Sequence, residues 1–172
     1  ECAKWVGSID RADRIDEYIS HAFHLAQSGR KGPVVLALPE DVLFAQAHEH
    51  PSPKAQIISP GLDQALFSEA MQALAKAKRG MILAGGGSWT KDACDALRNW
   101  ANREGVPVAT SFRSQDLIDN HDPCYAGDLG IAANPALVKR VQEADVLLVI
   151  GERLGEMTTG GYTILSVPKP AL

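Results

Sequence analysis

The fold is decided by a short apolar run that ends in glycines, Met81-Ile82-Leu83-Ala84-Gly85-Gly86-Gly87-Ser88. Four consecutive apolar residues predict a strand that is covered on both faces, as in a parallel sheet. The same pattern returns at Val146-Leu147-Leu148-Val149-Ile150-Gly151, which is the clearest buried strand of the chain. Since ligands of parallel sheets bind at the carboxyl ends of the strands, the glycines that follow both runs form a candidate site.

Helices alternate with these strands across short turns. Apolar residues spaced three and four apart predict a helix over residues 62–78, capped near Ser59-Pro60, and another that ends near Gly105. A short strand over residues 106–110 follows, and Asn134-Pro135 opens a further helix to about residue 143. This alternation predicts an α/β fold with three layers, a Rossmann-like parallel sheet with helices on both faces.

A separate helix and strand precede this pattern. An apolar stripe that includes Ile15, Ile19 and Ala22 predicts a helix over residues 10–28, which Gly29 ends. Residues 33–38 predict a further buried strand that ends at Pro39. Because no partner strand is evident, we expect this strand to have two unpaired edges. It should therefore pack on a neighbouring chain, swap, or be poorly ordered.

The composition of residues 45–61 predicts a linker, because the segment contains three Pro, two His and few large apolar side chains. The His48-Glu49-His50 run has the composition of a metal site, but no third ligand accompanies it at a known spacing. We therefore predict a solvated loop and no metal site in this chain.

Composition excludes several classes of protein. The 172 residues are 22% charged with a net charge of −4 and contain no run of Lys or Arg, which argues against a nucleic-acid surface. The longest apolar runs are too short to span a bilayer, so no membrane segment is expected. The three cysteines are odd in number and widely spaced, which is typical of inert thiols in a reducing cytoplasm.

The glycines after the two strands have two interpretations. Glycines let a backbone approach a phosphate, yet the spacing of Gly85, Gly86 and Gly87 satisfies neither a dinucleotide fingerprint nor a P-loop. A tight structural turn is the alternative. Arg153, two residues after Gly151, is a candidate phosphate contact, and a salt bridge to an acidic neighbour such as Glu152 is the other interpretation.

Several segments resemble one enzyme family in order and spacing. The Gly-Pro-Val, apolar run and Pro-x-Asp-Val within residues 32–42 resemble the end of the pyrimidine-binding domain of thiamine-diphosphate-dependent enzymes of the acetolactate synthase type. Residues 75–87, 119–130 and 144–154 resemble their central domain. The resemblance implies a remnant of the N-terminal domain over residues 1–44, a linker over 45–61, and a C-terminally truncated central domain over 62–172.

The resemblance also implies a reaction that this piece does not perform alone. The parent enzyme would decarboxylate a 2-oxo acid and transfer the two-carbon unit, using thiamine diphosphate and magnesium. In the family an early glutamate activates the thiamine ring, and a Gly-Asp-Gly motif holds magnesium and the diphosphate. We identify neither here, so the fragment is expected to be architectural, with no catalytic residue. Its partners would be the rest of the parent chain and further copies in a homo-oligomer.

Two alternatives stay open. The parent is a decarboxylase of the benzoylformate or oxalyl-CoA type, or the chain is a stand-alone module that binds FAD, NAD or ADP. By position, the family's contacts to FAD or ADP fall on nine residues: Gly85, Gly86, Gly87, Thr110, Gly127, Asp128, Gly130, Gly151 and Arg153. The sequence departs from the flavin-binding members at Ser111–Ser114 and at Leu154-Gly155, where they carry a Gly-rich stretch and Phe-Asp, so a nucleotide-free domain is the competing expectation.

Overall fold

A computed structural model of the chain describes residues 2–46, 56 and 61–165. The chain divides into two units, Glu1–Leu62 and Asp63–Leu172. The first unit contains two strands, two helices and one 3₁₀ turn: β1 (Trp5–Ser8), the turn Ala12–Arg14, α1 (Ile15–Gln27), β2 (Val34–Ala37) and α2 (Glu40–Phe44).

The predicted strand at residues 33–38 is present as β2, but the expectation of two unpaired edges was wrong. β1 pairs with it in parallel, with Trp5 opposite Val34 and Ser8 opposite Ala37. The sequence reading missed β1 because it has four residues and includes a glycine. Val35, which points away from the α1 side of the sheet, remains 50% exposed, so this face is largely uncovered.

The helices of the first unit differ from their predicted bounds. α1 begins at Ile15 rather than near residue 10, since a 3₁₀ turn precedes it and Arg14 pairs there with Asp10 and Glu17. Gly29 has a φ of +53°, in the left-handed region, as expected of a residue that ends a helix. Pro39 ends β2 as predicted, and it also begins the unpredicted helix α2.

The second unit is a four-stranded parallel sheet flanked by helices. Its elements are α3 (Gln64–Lys76), β3 (Gly80–Ala84), α4 (Lys91–Glu104), β4 (Val108–Ser111), a 3₁₀ turn (Gln115–Leu117), β5 (Tyr125–Leu129), α5 (Pro135–Gln142) and β6 (Val146–Ile150). The strand order is β5-β4-β3-β6, and every pairing is parallel. The α/β prediction is confirmed, while β5 was missed because its YAGDL sequence lacks a continuous apolar run.

Alternate residues of β3 enter two separate cores. Ile82 and Ala84 pack with Ala101 of α4 on one face, and Met81 and Leu83 pack with Leu137 of α5 on the other. Both faces of the sheet are therefore covered by helices, which confirms the three-layer arrangement.

Polar side chains and one glycine define the helix ends. Asp63 caps α3 by accepting hydrogen bonds from the backbone N–H groups of Ala65 and Leu66, at 2.9 and 3.0 Å. The cap predicted at Ser59-Pro60 and the His48-Glu49-His50 run both lie outside the described residues. Asn134 caps α5 as predicted, and Gly105 ends α4 with a φ of +67°.

Among the described helices, none combines the length and apolar character needed to cross a membrane.

Candidate functional site

The candidate site lies at the topological switch point of the sheet, where the chain stops adding strands on one side of β3 and adds the next one on the other side. From β3 the chain adds β4 and then β5 on one side, after which it returns to place β6 on the other side of β3. The loops after β3 and β6 therefore leave the sheet in opposite directions, at the place where sheets of this topology are expected to hold a ligand crevice. We call this the switch-point crevice, formed by the carboxyl ends of β3, β4 and β6.

The glycines after β3 and β6 let two backbones touch. Gly85 donates a backbone hydrogen bond of 3.1 Å to the carbonyl oxygen of Ile150. Gly86 has a φ of +78°, and a Cβ atom there would overlap the carbonyl oxygen of Gly151. A Cβ atom on Gly151, whose φ is +72°, would lie 2.5 Å from the carbonyl oxygen of Gly85. Close backbone packing thus gives these glycines a structural reason, independent of any ligand.

The loop between β3 and α4 is held by side chains that the sequence reading did not single out. The indole Nε1 of Trp89 donates a hydrogen bond of 2.7 Å to the carbonyl oxygen of Gly85. Thr90 then caps α4 through a hydrogen bond of 3.2 Å from the backbone N–H of Ala93. Gly87 has open space around its Cβ position, so it is the one glycine of the triplet that the packing does not explain.

A carboxylate occupies the switch-point crevice. Glu152 follows β6, and its Oε2 accepts a hydrogen bond from the hydroxyl of Ser111 at the end of β4. Its Oε1 accepts a hydrogen bond of 2.7 Å from the backbone N–H of Arg153. A Cβ atom on Gly85, between these two strands, would overlap both Glu152 Oε2 and Ser111 Oγ. We call this Glu152–Ser111 contact the carboxylate bridge, and it spans the end of β3.

Ser111 is a fixed partner for this carboxylate. It is 1% exposed, and its Oγ also lies 3.3 Å from the hydroxyl of Ser114. Neither Ser111 nor Glu152 was among the predicted site residues. A signal was available, because each is a polar residue immediately at the end of a predicted buried strand, where ligand contacts of parallel sheets lie.

The predicted contacts on the β4 and β5 side have different surroundings. Thr110 is fully buried, and its Oγ1 has no hydrogen-bond partner among the described residues. Asp128, opposite Thr110 in the sheet, accepts a 3.3 Å hydrogen bond from the Gln115 amide. Gly127 has a φ of +114°, and its Cβ position lies 3.2 Å from Leu137 of α5. Gly127 therefore allows α5 to pack closely on the face of the sheet that holds Met81 and Leu83.

Two further predicted residues flank the crevice. Gly130 follows β5, and a Cβ atom there would lie 3.0 Å from both Asp128 Oδ2 and the ring of Phe112. Arg153 is exposed, and within residues 61–165 its guanidinium makes no salt bridge. The alternative of an Arg153–Glu152 salt bridge is not what the structure shows, because Glu152 accepts from the backbone N–H of Arg153 instead. The roles of all nine residues in nucleotide binding remain predictions.

Residues 67–171 match the family model described as thiamine pyrophosphate enzyme, central domain. The chain belongs to this family. The resemblance noted in the sequence is thereby confirmed, and the switch-point crevice is a feature of a thiamine pyrophosphate enzyme central domain.

Curated relatives extend this finding over nearly the whole chain. It is 32% identical over 160 residues to the sulfoacetaldehyde acetyltransferase of Alcaligenes xylosoxydans xylosoxydans, which covers 92% of this chain and 26% of that protein. It is 29% identical over 162 residues to the acetolactate synthase isozyme 2 large subunit of Escherichia coli K12, covering 92% and 29% of the two chains. The chain thus spans between a quarter and a third of the length of these relatives.

The family implies thiamine diphosphate, and magnesium usually accompanies it. Within the residues that the structure describes, no group of three or more His, Cys, Asp or Glu side chains is placed to hold a metal ion. The described residues therefore do not fit the metal-diphosphate part of that cofactor.

Proposed function

We propose that this chain is the central part of a larger thiamine-diphosphate-dependent enzyme that decarboxylates a 2-oxo acid and transfers the resulting two-carbon unit to an acceptor. The observation that carries the proposal is the family match over residues 67–171 together with two differently named relatives, a synthase and an acetyltransferase. The name of the acetyltransferase describes transfer of an acetyl group, which is a two-carbon unit. Both names favour this reaction class over a benzoylformate or oxalyl-CoA decarboxylase.

Within that enzyme, the part played by this chain is architectural. The end of β3 is closed by the Gly86–Gly151 packing and by the carboxylate bridge, in which Ser111 and Glu152 bond to each other. A rigid three-layer domain of this kind holds other domains in register without touching substrate. This feature also weighs against the alternative of a stand-alone dinucleotide-binding module.

The first unit supports a role within a longer protein. Val6 and Phe23 are 67% and 58% exposed, and an apolar groove of about 290 Å³ lies between α1 and β2, lined by Ile19, Ala22, Phe23, Ala26, Val34 and Leu36. An isolated unit gains nothing from such exposure, since apolar surface in water is unfavourable. We propose that the rest of the parent chain covers it. The homo-oligomer and the cytoplasmic location remain predictions.

The test compares the chain with its parent. The parent protein, supplied with pyruvate, thiamine diphosphate and Mg²⁺, should release CO₂, and omission of thiamine diphosphate should abolish the release. The 172-residue chain assayed in parallel should release none above the uncatalysed rate. Decarboxylation by the isolated chain would contradict the architectural role, and a parent that decarboxylates no 2-oxo acid would contradict the proposed reaction.

A further inference from the structure

The switch-point crevice has the position of a nucleotide site, but a carboxylate lies next to its glycine loop. In parallel sheets of this topology a ligand phosphate is expected beside the glycine loop, on backbone N–H groups and hydroxyls. Here the backbone N–H of Arg153 and the hydroxyl of Ser111 both donate to the carboxylate of Glu152. Two of the donors that a phosphate at this edge could use are therefore already engaged within the chain.

We propose that Glu152 excludes nucleotide diphosphates from this central domain by placing its own carboxylate where the diphosphate would bind. Two effects act together. The side chain fills the space between the ends of β4 and β6 next to Gly85, and its negative charge repels a second anion at the same position. The residue thus determines specificity, and the FAD or ADP that the family resemblance suggested does not fit.

The carboxylate bridge is held firmly enough to compete with a ligand. Ser111 is buried, and its position is set by the β3–β4 pairing, which brings Ala84 opposite Thr110, the residue before it. Hydrogen bonds to a charged acceptor are stronger than neutral ones. A ligand must break both of these bonds and displace a charged group before any of its own contacts form.

The decisive measurement is ADP binding by isothermal titration calorimetry to the 172-residue chain and two variants. Glu152→Ala removes the charge and the volume, whereas Glu152→Gln removes the charge and keeps the volume. We expect no measurable binding to the unchanged chain at millimolar ADP. At least one variant should bind ADP with a Kd at least tenfold below the detection limit that the unchanged chain sets, a difference of about 1.4 kcal/mol or more.

The matched control is Glu156→Gln. Glu156 is exposed four residues further along the same loop, and among residues 61–165 only its backbone carbonyl is engaged, by the N–H of Gly161. This substitution changes the net charge by the same amount as Glu152→Gln and leaves the crevice intact, so ADP binding should stay undetectable. Melting curves of all proteins check that each one folds before its titration is interpreted.

Three results would overturn the proposal. Tight ADP binding to the unchanged chain would show that the carboxylate does not exclude it. Two folded Glu152 variants without any gain would show that something else blocks the site. An equal gain in Glu156→Gln would assign the effect to net charge. None of these results bears on decarboxylation by the parent enzyme, so the two proposals fail separately.

Discussion

Trp89 and Gly85 are joined by a hydrogen bond of 2.7 Å from the indole Nε1 to the carbonyl oxygen. The bond fixes the last turn of the loop that leads from β3 into α4, and it satisfies the carbonyl of a buried residue. Because the same carbonyl oxygen lies 2.5 Å from the Cβ position of Gly151, its orientation also sets how closely the β6 loop can approach.

We expect Trp89→Phe to lower the free energy of unfolding by about 1–2 kcal/mol, since the substitution leaves the Gly85 carbonyl without its donor. Urea denaturation followed by circular dichroism measures the difference. Trp100→Phe is the control, because Trp100 packs against the same core and forms no side-chain hydrogen bond within the described residues. If both variants lose the same stability, the loss reflects ring packing and the hydrogen bond contributes little.

Gly86→Ala should destabilise the chain by about 2–3 kcal/mol. An alanine at a φ of +78° is strained, and its Cβ would overlap the carbonyl oxygen of Gly151. Gly87→Ala provides the comparison, because Gly87 has nothing within 4 Å of its Cβ position and no positive φ. Chemical denaturation of the two variants should separate them clearly, and equal stabilities would contradict the close β3–β6 packing described above.

Asp145 should make the stability of the second unit depend on pH. Its carboxylate accepts hydrogen bonds of 2.8 and 2.9 Å from the backbone N–H groups of Lys78 and Arg79, and these bonds lower its pKa. A carboxyl group whose pKa is lowered by folding stabilises the native state above its unfolded pKa, about 3.9, and this contribution is lost as the pH falls through the folded pKa.

The test is the urea midpoint of the unchanged chain and of Asp145→Asn, measured from pH 6 to pH 3. The variant should be less stable at pH 6, and the two midpoints should converge as the pH falls below about 4. Glu69→Gln, on the exposed side of α3, should leave the midpoint nearly unchanged at every pH. A difference between the chain and Asp145→Asn that stays constant down to pH 3 would rule out the carboxylate as its source.

The cysteines should differ in reactivity according to burial. Cys124 is buried, and that burial, with Asp122 beside it, raises the pKa of its thiol to about 11, whereas Cys2 is exposed. Since the thiolate is the reactive form, iodoacetamide at pH 8 should label Cys2 quickly and Cys124 only after unfolding. Mass spectrometry of digested protein identifies the labelled residue. Rapid labelling of Cys124 in the folded chain would show that this core opens readily.

The fold was predictable wherever strands are continuous apolar runs. β3 and β6 are such runs, and Asn134-Pro135 indicates the start of α5. The parallel sheet and its three layers could be predicted from these elements. β1 and β5 were missed because a glycine interrupts the apolar residues of each, and their strand character comes from pairing with a neighbour. Tertiary contacts override local propensity in such segments.

The sequence predicted the position of the candidate site but not its contacts. The glycines after β3 and β6 lie at the carboxyl edge of the sheet, as strand direction alone requires, and their role in binding stays a prediction. Their packing against each other depends on which strands are neighbours, and the β3–β6 pairing joins segments far apart in the sequence. Glu152 was noted only as a neighbour of Arg153, because no sequence pattern shows that its carboxylate reaches Ser111 on another strand.

The strand order has a consequence for how the protein is made. β3 is central in its sheet, yet one of its two neighbours, β6, leaves the ribosome only after α4, β4, β5 and α5 have been synthesised. At about 5–20 residues per second, β3 spends seconds with an open hydrogen-bonding edge and apolar side chains on both faces. Nascent chains of this domain should therefore require chaperone protection until Ile150 has emerged.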